Sequence, residues 1–517
     1  MNFIQGSNRR QALLFQESLD QIVDQENEVR LIDLFVESIN LEDFQFKVRL
    51  HSEGRPPYNP KDLLKLYIYG YLNGMRSSRV LEKECKRNVE VMWLMKQLVP
   101  DHNTISNFRR DNPKAIRKVF RHTVSLAKQF DLIGGKLIAG DSTKLRAQNS
   151  KKNNFNEKKI ERHLEYIDQK LEEYNAALAD ADGDNKKEIE QHIQGHENRK
   201  EFYQELTKQL EQSGEVQIST SDPDSRQLIT RNNITEVGYN VQTTVDEKHK
   251  LTIDFKVTNE NDSKAMGIML RRAEVILGTS EFTGLYDKGY HTGSELKAGI
   301  KRGVHVMVAI PDISSASMAP DPAYNVSKFL YDKDLHQYTC PQGQILTTNG
   351  NWYKKDRNAK GRKHTAPIQV QHFKTSACKN CPVLNLCTKN TEGRGRVIER
   401  TEFQDFIDIN KKNIGADPKT YKKRQAIIEH TYGIIKRQWG FYFISTKKGI
   451  RRAEAEAGIM FTCFNLRRLF NIIGKKGLKE YLGGLELILN SFLMPFFALF
   501  DFVFLKAHLQ SLKKIKI

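Results

Sequence analysis

An α/β fold with a mixed five-stranded sheet, preceded by an all-helical segment, is what this chain predicts, and three observations predict it. Residues 1–130 contain no useful length of strand alternation. The apolar run Leu137–Gly140 then ends at Asp141, and two alternating stretches follow, Val237, Tyr239, Val241, Thr243, Val245 and Leu251, Ile253, Phe255, Val257, around a polar turn at 246–250. Alternation with period two marks strands, and the short polar turn makes these two an antiparallel pair. Finally, helical and strand patterns interleave: a helix from about Ser263 to Leu277, a strand Phe282–Tyr286 ending at Asp287, a short helix near Ser294–Ala298 and the apolar strand Val304–Ile310. Helices between strands favour a parallel arrangement.

The helical segment comes first in the chain. Lys61–Gly74 is apolar-periodic and starts behind Pro60, while Asp101 caps a basic stretch that carries Asn107, Arg109 and Arg110. Such a helix can enter a major groove with those side chains near bases or phosphates, or serve as an ordinary bundle helix with a solvated basic face. After Asp141, Leu164, Ile167, Leu171, Tyr174 and Leu178 repeat at spacings of three and four, and Ile189, Ile193, Leu206 and Leu210 resume the stripe beyond a polar turn at 180–185. That pattern is a helical hairpin, either a solvated projection or a surface for dimerisation or DNA ends. A last helical pattern runs from Tyr421 to Trp439 and contains Glu429.

Three strands, then helix, strand, helix, strand and helix, is the order of an RNase H-like core. In that order the first strand, the fourth strand and the last helix each end up with an acid: Asp141, Asp287 and Glu429. A carboxylate at a strand end faces the crevice beyond the sheet, where acids from distant segments can share hard divalent cations. The predicted organisation is a helical DNA-binding domain (1–130), a catalytic core (131–150 and 213–310), the hairpin insertion (151–212), a cysteine-containing insertion (311–396), the rest of the core with the Glu429 helix (397–475) and a tail (476–517). Asp222 and Asp224 flank Pro223 and read as a turn or cap rather than rival ligands.

Charge narrows the partner. Lys and Arg number 82 against 63 Asp and Glu, a net +19 with pI near 9.4. Such a surplus favours a polyanion over an acidic small molecule, and nucleic acid is the natural candidate. Residues 1–25 are polar and lack the apolar core of a signal peptide, so the expected location is cytoplasmic, at the nucleoid. Leu485–Leu505 is apolar but holds Glu486, Asn490, Pro495 and Asp501, which fits a packing or oligomer-contact helix better than a membrane span. No GxxxxGK[ST] phosphate loop is present, and no ATP is expected.

Six cysteines cannot staple a chain of 517 residues in a reducing compartment. Four of them cluster: Cys378 and Cys381 have the two-residue gap of a zinc pair, Cys340 precedes Pro341 and Gly343, and Cys387 can close the set. Structural zinc and free thiols are the two readings, with His364 or His372 as substitute ligands. Cys85 and Cys463 sit among apolar helical neighbours and read as core.

Three segments, GDSTKLRAQNS from Gly140, LYDKGYHTGSEL from Leu285 and IEHTYGIIKRQWGF from Ile428, resemble the acid-bearing signatures of bacterial insertion-sequence DDE transposases, in the retroviral-integrase-like superfamily. PPYNPKDLLKLYIYGYLNGMRSSRVLE from Pro56 resembles the amino-terminal module of that family. The resemblance implies Asp141, Asp287 and Glu429 as ligands of two Mg²⁺ or Mn²⁺ ions, with Tyr421, Arg424 and Lys436 as the accompanying tyrosine, arginine and lysine. Lys436 lies seven residues beyond Glu429, on the same helix face. Two such ions about 3.5–4 Å apart stabilise the attacking and leaving oxygens of an in-line displacement at phosphorus. The implied reaction cleaves at the element's ends and joins the 3′ ends to target DNA, with Lys436 and Arg437 on phosphates. The implied partners are double-stranded DNA, the terminal inverted repeats and the target, with a homodimer or higher oligomer on DNA and no membrane. A DNA-binding regulator that no longer cuts, or a nuclease that hydrolyses without joining, are the alternatives. Trp439, Phe441 and Tyr442 could stack on bases or pack in a core.

Overall fold

The computed structural model describes residues 18–47, 56–229, 234–313, 317–356, 366–390, 395–446 and 448–492, with side chains given to residue 484. His364 and the apolar stretch beyond Phe492 lie outside the described residues. The chain forms two compact units. One gathers Met1–Gly135, Asp141–Asn261 and Gln425–Ile517, and the other Lys136–Gly140 and Asp262–Arg424. The structure is mixed α/β. Six strands matter here: β1 (Leu137–Arg146), β2 (Arg226–Ile229), β3 (Thr235–Asp246), β4 (Thr252–Thr258), β5 (Thr283–Tyr286) and β6 (His305–Val308). β1 gives its first residues to the second unit and Asp141–Arg146 to the first.

In the first unit β3 and β4 form the antiparallel pair that alternation predicted, from Asn240 opposite Thr258 to Val245 opposite Thr252. The strand β2 was not anticipated. It pairs antiparallel with the start of β3, so the sheet here is wider by a strand than the sequence suggested. The helices Pro60–Leu72 and His102–Asp111 form where expected, the latter because the Asp101 carboxylate accepts the amides of Asn103 (2.9 Å) and Thr104 (3.1 Å). The helix Ile450–Ile473 is buried along most of its length. Small residues let it approach: a side chain at Gly458 would meet Ile116 at 2.9 Å. Its start is fixed by Asp222 and Asp224, which accept the amides of Gly449 (2.9 Å) and Ile450 (2.8 Å), so the cap reading of this acidic pair holds.

The hairpin insertion is present as helices Glu157–Ala179 and Gly183–Ser213. Its buried seam is Ile160, Ile167, Tyr203, Leu206 and Leu210 with Phe155. Towards the tip the seam ends in Tyr174 stacked on His192, ring centroids 5.4 Å apart.

In the second unit Leu137–Ala139 of β1 pairs in parallel with Thr283–Leu285 of β5, and β5 pairs in parallel with β6. Helices Met266–Leu277 and Gly293–Ile300 precede and follow β5, as the interleaved pattern required. Between β6 and the helix Gln404–Ala416 the insertion builds two small antiparallel sheets over one apolar cluster, Phe329, Tyr338, Leu346, Phe373, Cys387 and Ile398. The chain then returns to β6 through Asn410. Its amide accepts from the Val308 N–H and donates to the Val308 carbonyl, both at 2.8 Å, satisfying two groups a further strand would otherwise pair.

Candidate active site

Asp141 and Glu429 belong to the same unit. The Asp141 carboxylate accepts the Ser142 amide at 2.7 Å, and its carbonyl accepts the hydroxyls of Tyr432 (3.1 Å) and Thr243 (3.3 Å). Tyr432 stands three residues beyond Glu429, on the same helix face, so the Glu429 helix (Pro418–Tyr432) is tied to the strand of Asp141 by the turn next to Glu429. A second tie lies further on, where the Lys436 ammonium donates to the Lys144 carbonyl at 3.1 Å. Glu429 is exposed, and its carboxylate accepts from the Gln425 amide at 2.7 Å. Thr243 entered the sequence reading only as a strand residue, and Tyr432 was not singled out. The signal for Tyr432 was available, since its spacing from Glu429 is one helical turn.

The helix does not continue regularly. Gly433–Gln438 forms a π-helical turn, whose wider i→i+5 bonds mean that seven residues from Glu429 to Lys436 no longer amount to two α-turns. The expected common helix face for these two residues is corrected accordingly. The register of β3 against β4 shifts between Thr244 and Val245, next to Thr243.

Asp287 belongs to the second unit, directly after β5, where its carboxylate accepts the Gly289 amide at 2.8 Å. Two of the expected companions gather there. The Tyr421 hydroxyl donates to the carbonyl of Tyr286 at 3.1 Å, and the Arg424 charge lies close enough to act on the Tyr421 phenol. Burial pushes the Tyr421 phenol up; the Arg424 charge opposes the rise and the Asp287 charge adds to it. His291, four residues past Asp287, is depressed by burial and keeps Nε2 buried without a hydrogen-bond partner among the described residues. Gly140 explains the glycine before Asp141: a Cβ there would lie 2.0 Å from a ring carbon of Tyr286, so only glycine lets the β1 backbone pass the ring.

Arg109 departs from its expected role. It is 5% exposed, donates to the Tyr71 hydroxyl at 2.8 Å, lies over the Tyr67 ring and pairs with Glu456 at 3.8 Å. The physical reason is a buried carboxylate: Glu456 needs cations, and Arg109 faces it on the inner side of its helix rather than DNA. Arg110 instead stays partly exposed beside Asp111, Asn107 is half-buried and Arg437 is exposed. Phe441 is core, under the Arg76 guanidinium, whereas Tyr442 is exposed.

The four clustered cysteines line one cavity of about 30 Å³ in the second unit. Burial pushes the Cys387 thiol up, against the pull of the Arg396 charge. His372 turns away into a stack with Tyr353, ring centroids 5.0 Å apart. Cys85 and Cys463 are buried, as expected. Among the described residues no group of three or more His, Cys, Asp or Glu is gathered as a ready metal site. No helix among them is long and apolar enough to cross a membrane.

Two family models match the chain. One is a transposase domain (DUF772) over residues 17–111, and the other a transposase DDE domain over residues 339–470. These matches bear out the resemblance to DDE-type transposases and support a function in transposition, a class that implies divalent metal use. The second match contains Tyr421, Arg424, Glu429, Lys436 and the four clustered cysteines, and the first contains Asn107, Arg109 and Arg110. No curated protein matches the chain. Among solved structures, a piggyBac transposase synaptic complex with hairpin DNA, determined by cryo-EM, matches at 9% identity and a TM-score of 0.32, covering 95% of this chain and 86% of that one. So loose a likeness carries no argument.

Proposed function

We propose that this RNase H-like chain is an active transposase, with Asp141, Asp287 and Glu429 holding two Mg²⁺ or Mn²⁺ ions while insertion-sequence ends are cut and joined to target DNA. The observation that carries this reading is the close approach of Gly140 and Tyr286, the residues directly before Asp141 and Asp287. The parallel register agrees: Ala139 pairs with Leu285, and two residues beyond each stands an acid. The bond from Tyr432 to the Asp141 carbonyl, one turn from Glu429, supports the third member.

Carboxylate oxygens are the hard donors that Mg²⁺ takes, so the donor set fits in chemistry. Bound ions would neutralise charge on the scissile phosphodiester and acidify the attacking water or 3′ hydroxyl. Within the chain, Arg424, near Tyr421, carries a guanidinium fork suited to a phosphate. Lys436 adds a point charge next to the Asp141 strand, exposed Arg437 can meet the DNA backbone, and part-exposed Arg110 can do so by leaving Asp111. Synapsis of two ends calls for at least a dimer on DNA.

Strand transfer with element ends and Mg²⁺ tests the reading. Asp141→Asn is expected to lower cutting by about 10³-fold or more, roughly 4 kcal/mol of barrier, while end binding stays within about threefold. An unmutated chain that binds ends but never cuts in Mg²⁺ or Mn²⁺ would be a regulator, and hydrolysis without joining would make it a nuclease.

A further inference from the structure

We propose that Cys340, Cys378, Cys381 and Cys387 bind one structural Zn²⁺ as four thiolates, with Arg396 as the counter-ion of the site. Three separate segments deliver the sulfurs: the turn 340–344, the short 3₁₀ turn Ser376–Asn380 leading to Cys381, and the short helix Leu384–Cys387. All four line the same cavity, together with Arg396 and apolar neighbours such as Phe329, Leu346 and Leu384. Its volume of about 30 Å³ admits one water-sized or ion-sized species. Four soft donors around a space of that size suit tetrahedral zinc better than a hard cation.

One backbone amide already faces a sulfur of the set. The Gln344 amide donates to the Cys340 sulfur at 3.3 Å, in a turn closed by the Gly343 amide on the Cys340 carbonyl at 2.9 Å, with Gly343 at φ +76°. Gly395, at φ +66°, presses its backbone on Cys378, where an added Cβ would come within 2.3 Å of the Cys378 Cβ. This contact holds Arg396 at the cavity wall.

Arg396 supplies the independent observation. Its Nε is buried with no hydrogen-bond partner among the described residues, although a guanidinium is always charged. No carboxylate lines the cavity among the described residues, so beside neutral thiols the buried Nε–H faces no anion there. Four thiolates around one Zn²⁺ carry a net charge of about −2, from four negative sulfurs and one dication. Bound metal would therefore place an anion at the cavity wall beside this arginine. The described side chains are not gathered into a ready ligand set, so binding must draw the sulfurs inward across the cavity, each thiol releasing its proton to solvent. Zinc would thereby pin the insertion's turns to the Phe329–Phe373 cluster.

The proposal is independent of DNA chemistry, and its test needs no DNA. The purified full chain is expected to hold about one Zn²⁺ per molecule, and Co²⁺ exchanged into it should give the charge-transfer bands of tetrahedral thiolate ligation. Cys340→Ser and Cys378→Ser should each weaken zinc retention against a chelator, and Arg396→Met, which keeps all four sulfurs, should speed zinc loss by about 10-fold. Asp141→Asn should retain zinc fully, which separates this claim from the reading of the acids. A folded chain without zinc, with no thiolate band in Co²⁺ and four freely titrating thiols, would overturn the site. Zinc whose content and chelator resistance ignore both cysteine substitutions would overturn it equally. Zinc loss unaffected by Arg396→Met would remove the counter-ion.

Discussion

Two glutamates one helix apart, Glu429 and Glu456, show how differently one side chain can be used in the same unit. Glu456 is fully buried, and its carboxylate accepts the Ser445 amide (3.0 and 2.9 Å), the Ser445 hydroxyl (2.8 Å) and the Thr446 amide (3.0 Å). Arg76 at 3.3 Å and Arg109 at 3.8 Å neutralise it. Glu429 is exposed on its helix, with one bond from Gln425 and the turn beside it fastened to the Asp141 strand. A saturated carboxylate spends its interactions on folding. An open one, on a scaffold fixed by its neighbours, keeps its lone pairs for a ligand.

Substitution should separate the two completely. Glu429→Gln is expected to abolish strand cutting, by about 10³-fold or more, while leaving the unfolding free energy within about 0.5 kcal/mol of the unmutated chain. Glu456→Gln should do the reverse in kind, costing about 3–5 kcal/mol, because Arg76 and Arg109 would stay buried without their anion. Urea melts of both variants beside a cleavage assay measure this. A stable Glu456→Gln, or a destabilised Glu429→Gln, breaks the contrast.

The same contrast divides two adjacent arginines. Arg109→Met should lose about 3 kcal/mol of stability, since it removes one cation from Glu456 and the donor to Tyr71. Arg110→Ala should stay within about 0.5 kcal/mol and, if the residue meets a phosphate, lower the salt slope of DNA binding by about 1. A salt slope that falls in Arg109→Met and not in Arg110→Ala, with the fold intact, would restore the groove-facing role to Arg109.

That assignment also marks where the sequence stopped being legible. The acids could be proposed because each sits at the end of, or within, a periodic segment, and periodicity is a local property. Strands β3 and β4, the capped helix at Asp101 and the hairpin seam were readable for the same reason. The fate of Arg109 depends on Glu456, 347 positions away, and no local pattern records such a pairing. Nothing in GIIKRQ distinguishes a π-helical turn from an α-helical one either, so the offset from Glu429 to Lys436 was misjudged. β2 was missed because Arg226–Ile229 is too short for alternation to register. The cysteines stand on turns, where spacing suggests a metal but cannot reveal that Arg396 lines the same cavity.

Among the buried positions, the smallest expected cost falls on a group that is hydrogen-bonded yet neutral. Asn410 is fully buried and spends its amide on Val308, as Asn465 does in the other unit on the amide (3.0 Å) and carbonyl (2.9 Å) of Thr252. Each asparagine stands in for a strand at a position where the ladder stops. Asn410→Ala would strand one buried donor and one acceptor, at a cost of about 1–3 kcal/mol. That is less than for Glu456→Gln, because no charge is left unpaired. Urea melts would rank the two variants, and an Asn410→Ala cost equal to or above that of Glu456→Gln would mean that the missing hydrogen bonds, rather than the missing charge, set the scale of burial in this chain.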